Sequence, residues 1–196
     1  MRHLTRNEII EQCKRVARQN RTGSRAMWTA MCIMCGYALL KSEGFKGQRI
    51  SNVTKKVNEM CEECEKGNLD IDILNNRLLD KAEFSFKHED YTESEITAKK
   101  GTYAHWIIER QIAPQNEINK QSIEYMILFF NALIDLYGFG KERLNRVFEQ
   151  IEQERSLYDS GKASVEEWRK ELMEDAGIFF EEPIDPLTQK HDDGRV

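Results

Sequence analysis

Residues 132–154 read ALIDLYGFGKERLNRVFEQIEQE, and this stretch decides the fold. The residues before Gly138 form the last turns of one helix. This helix ends there because Gly138 supplies the positive φ that favours a helix end, and Phe139 can fold back on the last turn. A second helix follows, since apolar residues recur three and four positions apart from Leu144 to Ile151. The stretch therefore predicts two helices joined by a tight turn.

A second stretch of the chain aligns with the first without gaps, at an offset of about 94 residues. Residues 38–60 read ALLKSEGFKGQRISNVTKKVNEM and lie over 132–154, and residues 65–86 lie over 159–180. The identical pairs include Ala38/Ala132, Leu39/Leu133, Gly44/Gly138, Phe45/Phe139, Arg49/Arg143, Val53/Val147, Gly67/Gly161, Leu78/Leu172, Ala82/Ala176 and Phe86/Phe180. This register predicts an all-α fold built from two diverged copies of one helical unit, a tandem internal duplication. The alternative is a chance likeness between ordinary amphipathic helices.

Each copy continues into a shorter helix and is preceded by one more amphipathic helix. Ser164 followed by Glu167 is a capping-box pattern, and Asp70 takes the same position in the first copy. The predicted helices, about eight in number, span residues 6–19, 24–43, 47–66, 71–82, 96–112, 119–137, 141–160 and 164–176. The predicted domains are a first unit with a basic N-terminal helix over 1–86, a charged linker over 87–95, a second unit over 96–180 and a disordered acidic tail over 181–196.

The composition favours helices and a cytoplasmic location. Three prolines, eleven glycines and 32% charged residues are typical of helices more than of sheets. No apolar run approaches the roughly 20 residues that cross a bilayer, and the polar residues after Leu4 argue against a signal peptide. Five cysteines without a secretory signal indicate a reducing compartment in which thiols stay free.

Two cysteine pairs superficially resemble a four-thiolate zinc site: Cys32 with Cys35, and Cys61 with Cys64. The repeat argues against zinc, because Cys32 aligns with Met126 inside an apolar helix and Cys61 aligns with Arg155. We therefore expect buried or half-buried free thiols, with no metal and no cofactor.

Basic residues near the N-terminus are the first binding candidates. On a continuous helix, their spacing would place them along one positive stripe that contacts nucleic acid or an acidic protein surface. These residues are Lys14, Arg15, Arg18, Arg21 and Arg25. The alternative is a solvated helix face.

The turn GFGK (138–141), followed by Arg143, is the second binding candidate. It is similar to the hairpin of helix-hairpin-helix DNA-binding motifs, whose backbone N–H groups contact phosphate. Lys141 and Arg143 are accordingly candidates for binding nucleic acid or a partner, with a plain interhelical turn as the alternative. For the matched pair Arg49 and Arg143, a structural tie to a carboxylate or a helix C-terminus is favoured over partner binding.

The sequence lacks the patterns of common catalytic sites. It contains no phosphate-binding loop and no nucleophile elbow, and its four histidines never pair with a carboxylate at a metal-binding helical spacing. We therefore predict that the protein is not an enzyme.

The string LYGFGKERLNRVFEQIEQERSLYDSGKASVEEWRKEL (136–172) resembles a segment of small all-helical proteins of phages and prophages of Gram-positive gut bacteria, which carry a GFGK-x-RL turn. The resemblance covers 132–180 well and 38–86 in degenerate form, where Lys46-Gly47 departs from the pattern. It implies a non-catalytic protein that binds a host protein or nucleoprotein, for example an inhibitor of a CRISPR-type defence nuclease.

The other function that a phage-type origin implies is a DNA-binding accessory protein for phage replication or transcription. The net charge of −5 favours the protein-binding function, because affinity for DNA grows with the number of phosphates that a protein neutralises. The sequence leaves open whether the chain forms a homodimer.

Overall fold

The computed structural model describes residues 26–86 and 113–179. Within these two ranges the chain forms six α-helices and no strand, which confirms the all-α prediction. The helices are α1 (residues 26–43), α2 (Gly47–Glu65), α3 (Ile71–Ala82), α4 (Ala113–Tyr137), α5 (Lys141–Asp159) and α6 (Val165–Ala176). None of the described helices is both long and apolar enough to span a bilayer. The helices predicted over 6–19 and 96–112, the linker and the tail lie outside the described residues.

The start of α4 differs from the prediction, because this helix begins at Ala113 and not at residue 119. Pro114 stands in its first turn, where the N–H that proline lacks would have no intrahelical partner. The polar run QNEINK, residues 115–120, gives no apolar periodicity, and this hid the first turns of the helix from the sequence.

The two Gly-Phe turns end α1 and α4 in the same way. Gly44 and Gly138 adopt φ angles of 62° and 60°, and each donates its N–H to the carbonyl four residues earlier. The following residues, Phe45 and Phe139, donate to the carbonyl six residues earlier and bury their rings. Glycine is required at the turn because other residues are strained at this φ.

The helix bounds after these turns recur at one spacing. α2 begins at residue 47 and α5 at residue 141, and α3 begins at residue 71 and α6 at residue 165, so both starts differ by 94. The ends, 65 with 159 and 82 with 176, keep the same difference. Asp70 accepts a hydrogen bond from the backbone of α3, and Ser164 and Glu167 form the predicted capping box at α6.

The two halves, here residues 26–86 and 113–179, contribute to one continuous hydrophobic core. α1 and α4 run side by side in the same direction. Trp28 packs edge-on against Tyr125 at the middle of α4, with ring centroids 4.7 Å apart. Beyond the ends of the two helices, the ring centroids of Phe45 and Phe139 lie 5.8 Å apart.

Each short helix packs on the first helix of the opposite half. α3 contacts α4 and α5, while α2 contacts α4. In the reverse direction, Trp168 of α6 stacks on Tyr37 of α1 with centroids 6.1 Å apart, and Leu172 lies against Gly36. Because the halves exchange their third helices in this way, neither half encloses a core by itself.

Candidate functional site

The predicted binding residues of the GFGK turn pair with carboxylates of the first half. Arg143 Nε donates to Glu43 Oε2 at 2.8 Å, and Arg146 Nη2 donates to Glu43 Oε1 at 2.9 Å. Lys141 pairs with Glu83. The Glu43 side chain is only 6% exposed; this burial opposes its ionisation, but the hydrogen bonds from Arg146 and Arg143 outweigh burial and lower its pKa.

In each Gly-Phe turn an arginine lies over the phenylalanine ring of its own turn, and a tyrosine hydrogen bond connects the two turns. The Arg143 guanidinium lies 3.6 Å from the centroid of the Phe139 ring, and Arg49 lies 5.3 Å from the centroid of Phe45. The Tyr137 hydroxyl donates to the Arg49 carbonyl at 3.2 Å. Arg143 thus makes the carboxylate contact expected for it, while the guanidinium of Arg49 lies over a ring of its own turn. The Tyr137–Arg49 hydrogen bond and the Arg143–Glu43 ion pair join the two halves at one end of the core.

The basic N-terminal residues Lys14, Arg15, Arg18, Arg21 and Arg25 lie outside the described part of the chain. Their proposed stripe therefore stays a prediction. Of the predicted binding residues, the structure describes Lys141 and Arg143 and brings them together beside Glu83 and Glu43.

The four cysteines of the described ranges are buried or half-buried free thiols, as expected. Cys32 and Cys35 are buried in α1, and Cys61 and Cys64 are half-buried in α2. Cys35 Sγ lies 3.7 Å from the Met126 sulfur. Burial is the main cause that raises the pKa of all four thiols, so they stay protonated near neutral pH, whereas nucleophiles and metal ligands are thiolates. Across 26–86 and 113–179, no three His, Cys, Asp or Glu side chains are grouped as metal ligands would be.

A cleft of about 490 Å³ opens between α2, α3 and α4. Its floor is apolar and is formed by Met60, Leu69 and Leu74. Its polar rim consists of Lys56, Glu59, Glu62, Glu63, Asn68, Arg77 and Asp135. Neither the composition nor the motifs of the sequence predicted this cleft.

On the other side of the core, an aromatic ring stands at the position that matches Leu74 of the cleft. Trp168 stands where the first half has Leu74, and its Nε1 donates to Glu154 Oε2 at 3.0 Å. Its indole lies 6.1 Å from the Tyr37 ring and 5.9 Å from the Tyr158 ring. At the positions that match these three rings, the other side of the core has Leu74, Asn131 and Cys64. Of these three residues, Leu74 lines the cleft, and the aligned pair Leu74/Trp168 was the sequence signal for it.

One ion pair at the cleft has a counterpart with reversed charges. Arg77 of α3 binds Asp135 of α4 at 2.6 Å, and Lys56 lies 3.8 Å from the same carboxylate. At the matching positions 41 and 171, Lys41 of α1 binds Glu171 of α6 at 2.6 Å. If the first half paired with a second copy of itself, Lys41 would meet Arg77. If the second half did so, Asp135 would meet Glu171. The reversal therefore favours association of one half with the other half.

Comparison of the chain with protein-family models, with curated proteins and with solved structures finds no match. The function is therefore argued from the residues of the site, because a fold alone does not determine one.

Proposed function

We propose that this protein is a non-catalytic binding protein of phage or prophage type that acts in the cytoplasm on a host protein or nucleoprotein. The observation that carries the proposal is the distribution of charge over the described surface. The cations of the GFGK turn are held by Glu43 and Glu83, so this turn offers little free positive charge to a phosphate. Acidic residues instead accumulate on helix surfaces.

Two helical surfaces are acidic. The second half of α2 carries Glu59, Glu62, Glu63 and Glu65, and α6 carries Glu166, Glu167, Glu171, Glu174 and Asp175 against two basic residues. Such surfaces repel nucleic acid and complement a basic protein. A more specific form of the proposal is an inhibitor of a CRISPR-type defence nuclease, whose positively charged nucleic-acid channel is a suitable target for an acidic helical protein.

We also propose that the chain arose by tandem duplication of a unit of about 94 residues. The constant spacing between matched helix bounds and the matched Gly-Phe turns support this origin. An ancestral unit that paired with a second copy of itself would produce the exchanged third helices once the two copies were joined.

A DNA-binding accessory function is the second candidate, because the basic residues before residue 26 provide the charge that phosphate contacts need. Changing Arg18 and Arg21 to Glu would then abolish a salt-sensitive shift of a labelled duplex. If the unchanged protein shifts no duplex at low salt, this candidate is wrong.

The first experiment is an affinity purification of the tagged protein from a host lysate, with and without nuclease treatment, read by mass spectrometry. A protein-binding function predicts a discrete partner that survives nuclease treatment. The partner should be lost when one of the two acidic surfaces is reversed, by Glu59→Lys with Glu62→Lys on α2 or by Glu166→Lys with Glu174→Lys on α6. It should be kept when Glu149 and Glu152 of α5 are changed in the same way. Recovery of nucleic acid, with all partners lost on digestion, would contradict the proposal.

The inhibitor form has a test of its own. Co-expression of the protein should protect a plasmid or phage that a CRISPR nuclease targets. The acidic-surface variant that loses the partner should also lose this protection, while the α5 variant should keep it. Failure to protect against several nuclease types would contradict this form without affecting the broader proposal.

A further inference from the structure

We propose that the cleft between α2, α3 and α4 binds a basic peptide segment of a protein partner, which inserts one aromatic side chain over Leu74. This inference rests on the proposed protein-binding function and names the site and the chemistry of its ligand. Three observations support it: the occupant of the matching space in the second half, the apolar floor, and the charge of the rim.

The second half shows what fills this space when the chain itself supplies the occupant. Trp168 buries its indole there, 3% exposed, and donates its ring N–H to Glu154. The first half has the same helix bounds but carries Leu74 and Met60 at the two matching positions. An indole or phenol from outside would bring to the first half a ring of the kind that Trp168 supplies to the second half, here over Leu74 and Met60.

The floor of the cleft suits an aromatic ring. Leu74 and Met60 present apolar side chains, and methionine sulfur makes favourable contacts with rings. The volume of about 490 Å³ lies within the range of roughly 300–1,000 Å³ in which pockets bury a ligand. The space therefore accepts one large ring together with the neighbouring residues of an extended segment.

The rim of the cleft selects a cationic segment. Lys56 and Arg77 both contact Asp135, so the two basic residues of the rim already have an anionic partner. Glu59 and Glu62 project from α2 with side chains 55% and 68% exposed, and their contacts with lysines are long, at 3.9 Å and 3.7 Å. Lysine or arginine residues beside the aromatic anchor would meet these two carboxylates. A nucleotide would stack as well but would bring phosphate to the same carboxylates.

The probe for this site is the tripeptide amide Ac-Lys-Trp-Lys-NH₂, with Ac-Lys-Ala-Lys-NH₂ as its matched control. The readout is the change in the backbone amide signals of the ¹⁵N-labelled full chain during titration. We expect shifts confined to the second half of α2, to Asn68 and Leu69, and to α3 and the end of α4. The alanine peptide should bind about tenfold more weakly, because the ring supplies most of the buried apolar surface.

The decisive variant is Met60→Glu with Leu74→Trp, which copies the Glu154–Trp168 pair of the second half into the cleft. It should weaken tripeptide binding by about tenfold or more, and urea unfolding shows whether the variant is folded. If this variant does not fold, the rim variant Glu59→Lys with Glu62→Lys takes its place. Both rim positions are exposed, and Glu149→Lys with Glu152→Lys on α5 is the control with the same change in charge.

Three outcomes would overturn the proposal: no saturable shift with Ac-Lys-Trp-Lys-NH₂, shifts elsewhere on the chain, or binding that the cleft and rim variants leave unchanged. Stronger binding of adenosine monophosphate than of the tripeptide would also overturn it, in favour of a nucleotide site. These results need no cellular partner. They are therefore separate from the lysate experiment, which can still recover a protein bound at another surface.

Discussion

The two halves of the molecule follow one backbone plan but have different interiors. Both end their helices at matched residues and turn at matched glycines. Where the second half carries large rings, the first carries smaller residues: Phe130 against Gly36, Phe148 against Thr54, and Trp168 against Leu74. Turns and helix caps therefore set the backbone plan of this fold, since they match where the core residues do not. The core side chains then determine which side is filled and which side keeps a cleft.

The strongest test of this comparison removes Phe130, whose ring packs on rings of both halves. The Phe130 ring is fully buried, and its centroid lies 5.2 Å from that of the Phe84 ring and 6.1 Å from that of the Phe148 ring. Phe130→Ala should lower the free energy of unfolding by about 3–5 kcal/mol, because it creates a cavity in a packed core. Urea unfolding measures this loss. Gly36→Ala at the matched position is the control. It should cost far less, because its new methyl group would lie 3.2 Å from Ile50 Cγ2, and a small shift of that side chain relieves the contact. Equal losses would show that the rings around Phe130 contribute no more to stability than the packing at the matched Gly36.

The next effect concerns the matched first residues of α2 and α5. A Cβ at Gly47 would lie 2.5 Å from the carbonyl oxygen of Ala176, a backbone atom that cannot move easily. Gly47→Ala should therefore destabilise the protein by about 1–3 kcal/mol. Lys141→Ala at the matched position should change stability by no more than about 1 kcal/mol, because the Lys141 side chain is half exposed. A harmless Gly47→Ala would mean that the end of α6 packs less closely on α2.

An intermediate effect compares the matched residues Glu43 and Tyr137. Glu43→Gln should cost about 1–2 kcal/mol at neutral pH, because Arg143 and Arg146 lose a buried anionic partner. The pKa of Glu43 in the folded protein lies below its ordinary value of 4.5. Its stabilising contribution is therefore present above that value and is lost as pH falls through the folded pKa. The stability difference between the parent and the variant should shrink in acid.

The control for this pH effect is Tyr137→Phe, which removes the neutral hydrogen bond to the Arg49 carbonyl. Its cost should stay constant over the same acidic range. Urea unfolding at a series of pH values measures both variants. A difference for Glu43→Gln that does not change with pH would contradict the ionised pair.

Local signals in the sequence were sufficient for most of the backbone. Gly138 and Ser164 each mark a helix end by a backbone requirement that neighbouring residues reveal, and the structure has both ends where they were predicted. The exchange of α3 and α6 between the halves was not predictable, because a matched repeat is compatible with helices packing within or between its copies. The cleft was missed for the same reason, since its wall of α4 comes from the opposite half.

A smaller effect concerns the two ion pairs with reversed charges. Lys41→Glu places two carboxylates together at Glu171 and should cost about 1 kcal/mol, a modest loss because both side chains of the pair are about 40% exposed. The added change Glu171→Lys should recover most of that loss, because it re-forms the pair with the charge order of Arg77 and Asp135. A double-mutant cycle in urea measures the coupling. If Glu171→Lys brings no recovery in the Lys41→Glu background, the reversal does not determine pairing between the halves.

The smallest effect compares the residues that end the two short helices. Glu83 and Gly177 both adopt the left-handed conformation, with φ of 57° and 68°, but only glycine does so without steric cost. Glu83→Gly should therefore stabilise the protein by about 0.5 kcal/mol at high salt, where loss of the exposed pair with Lys141 matters least. Gly177→Ala should destabilise it by about 1 kcal/mol under the same conditions. Opposite signs for the two substitutions would show that the first half keeps a strained helix end that the second half avoids. A loss of stability for Glu83→Gly at high salt would instead mean that Glu83 contributes contacts that Gly177 lacks, and the two ends would then be alike in backbone conformation only.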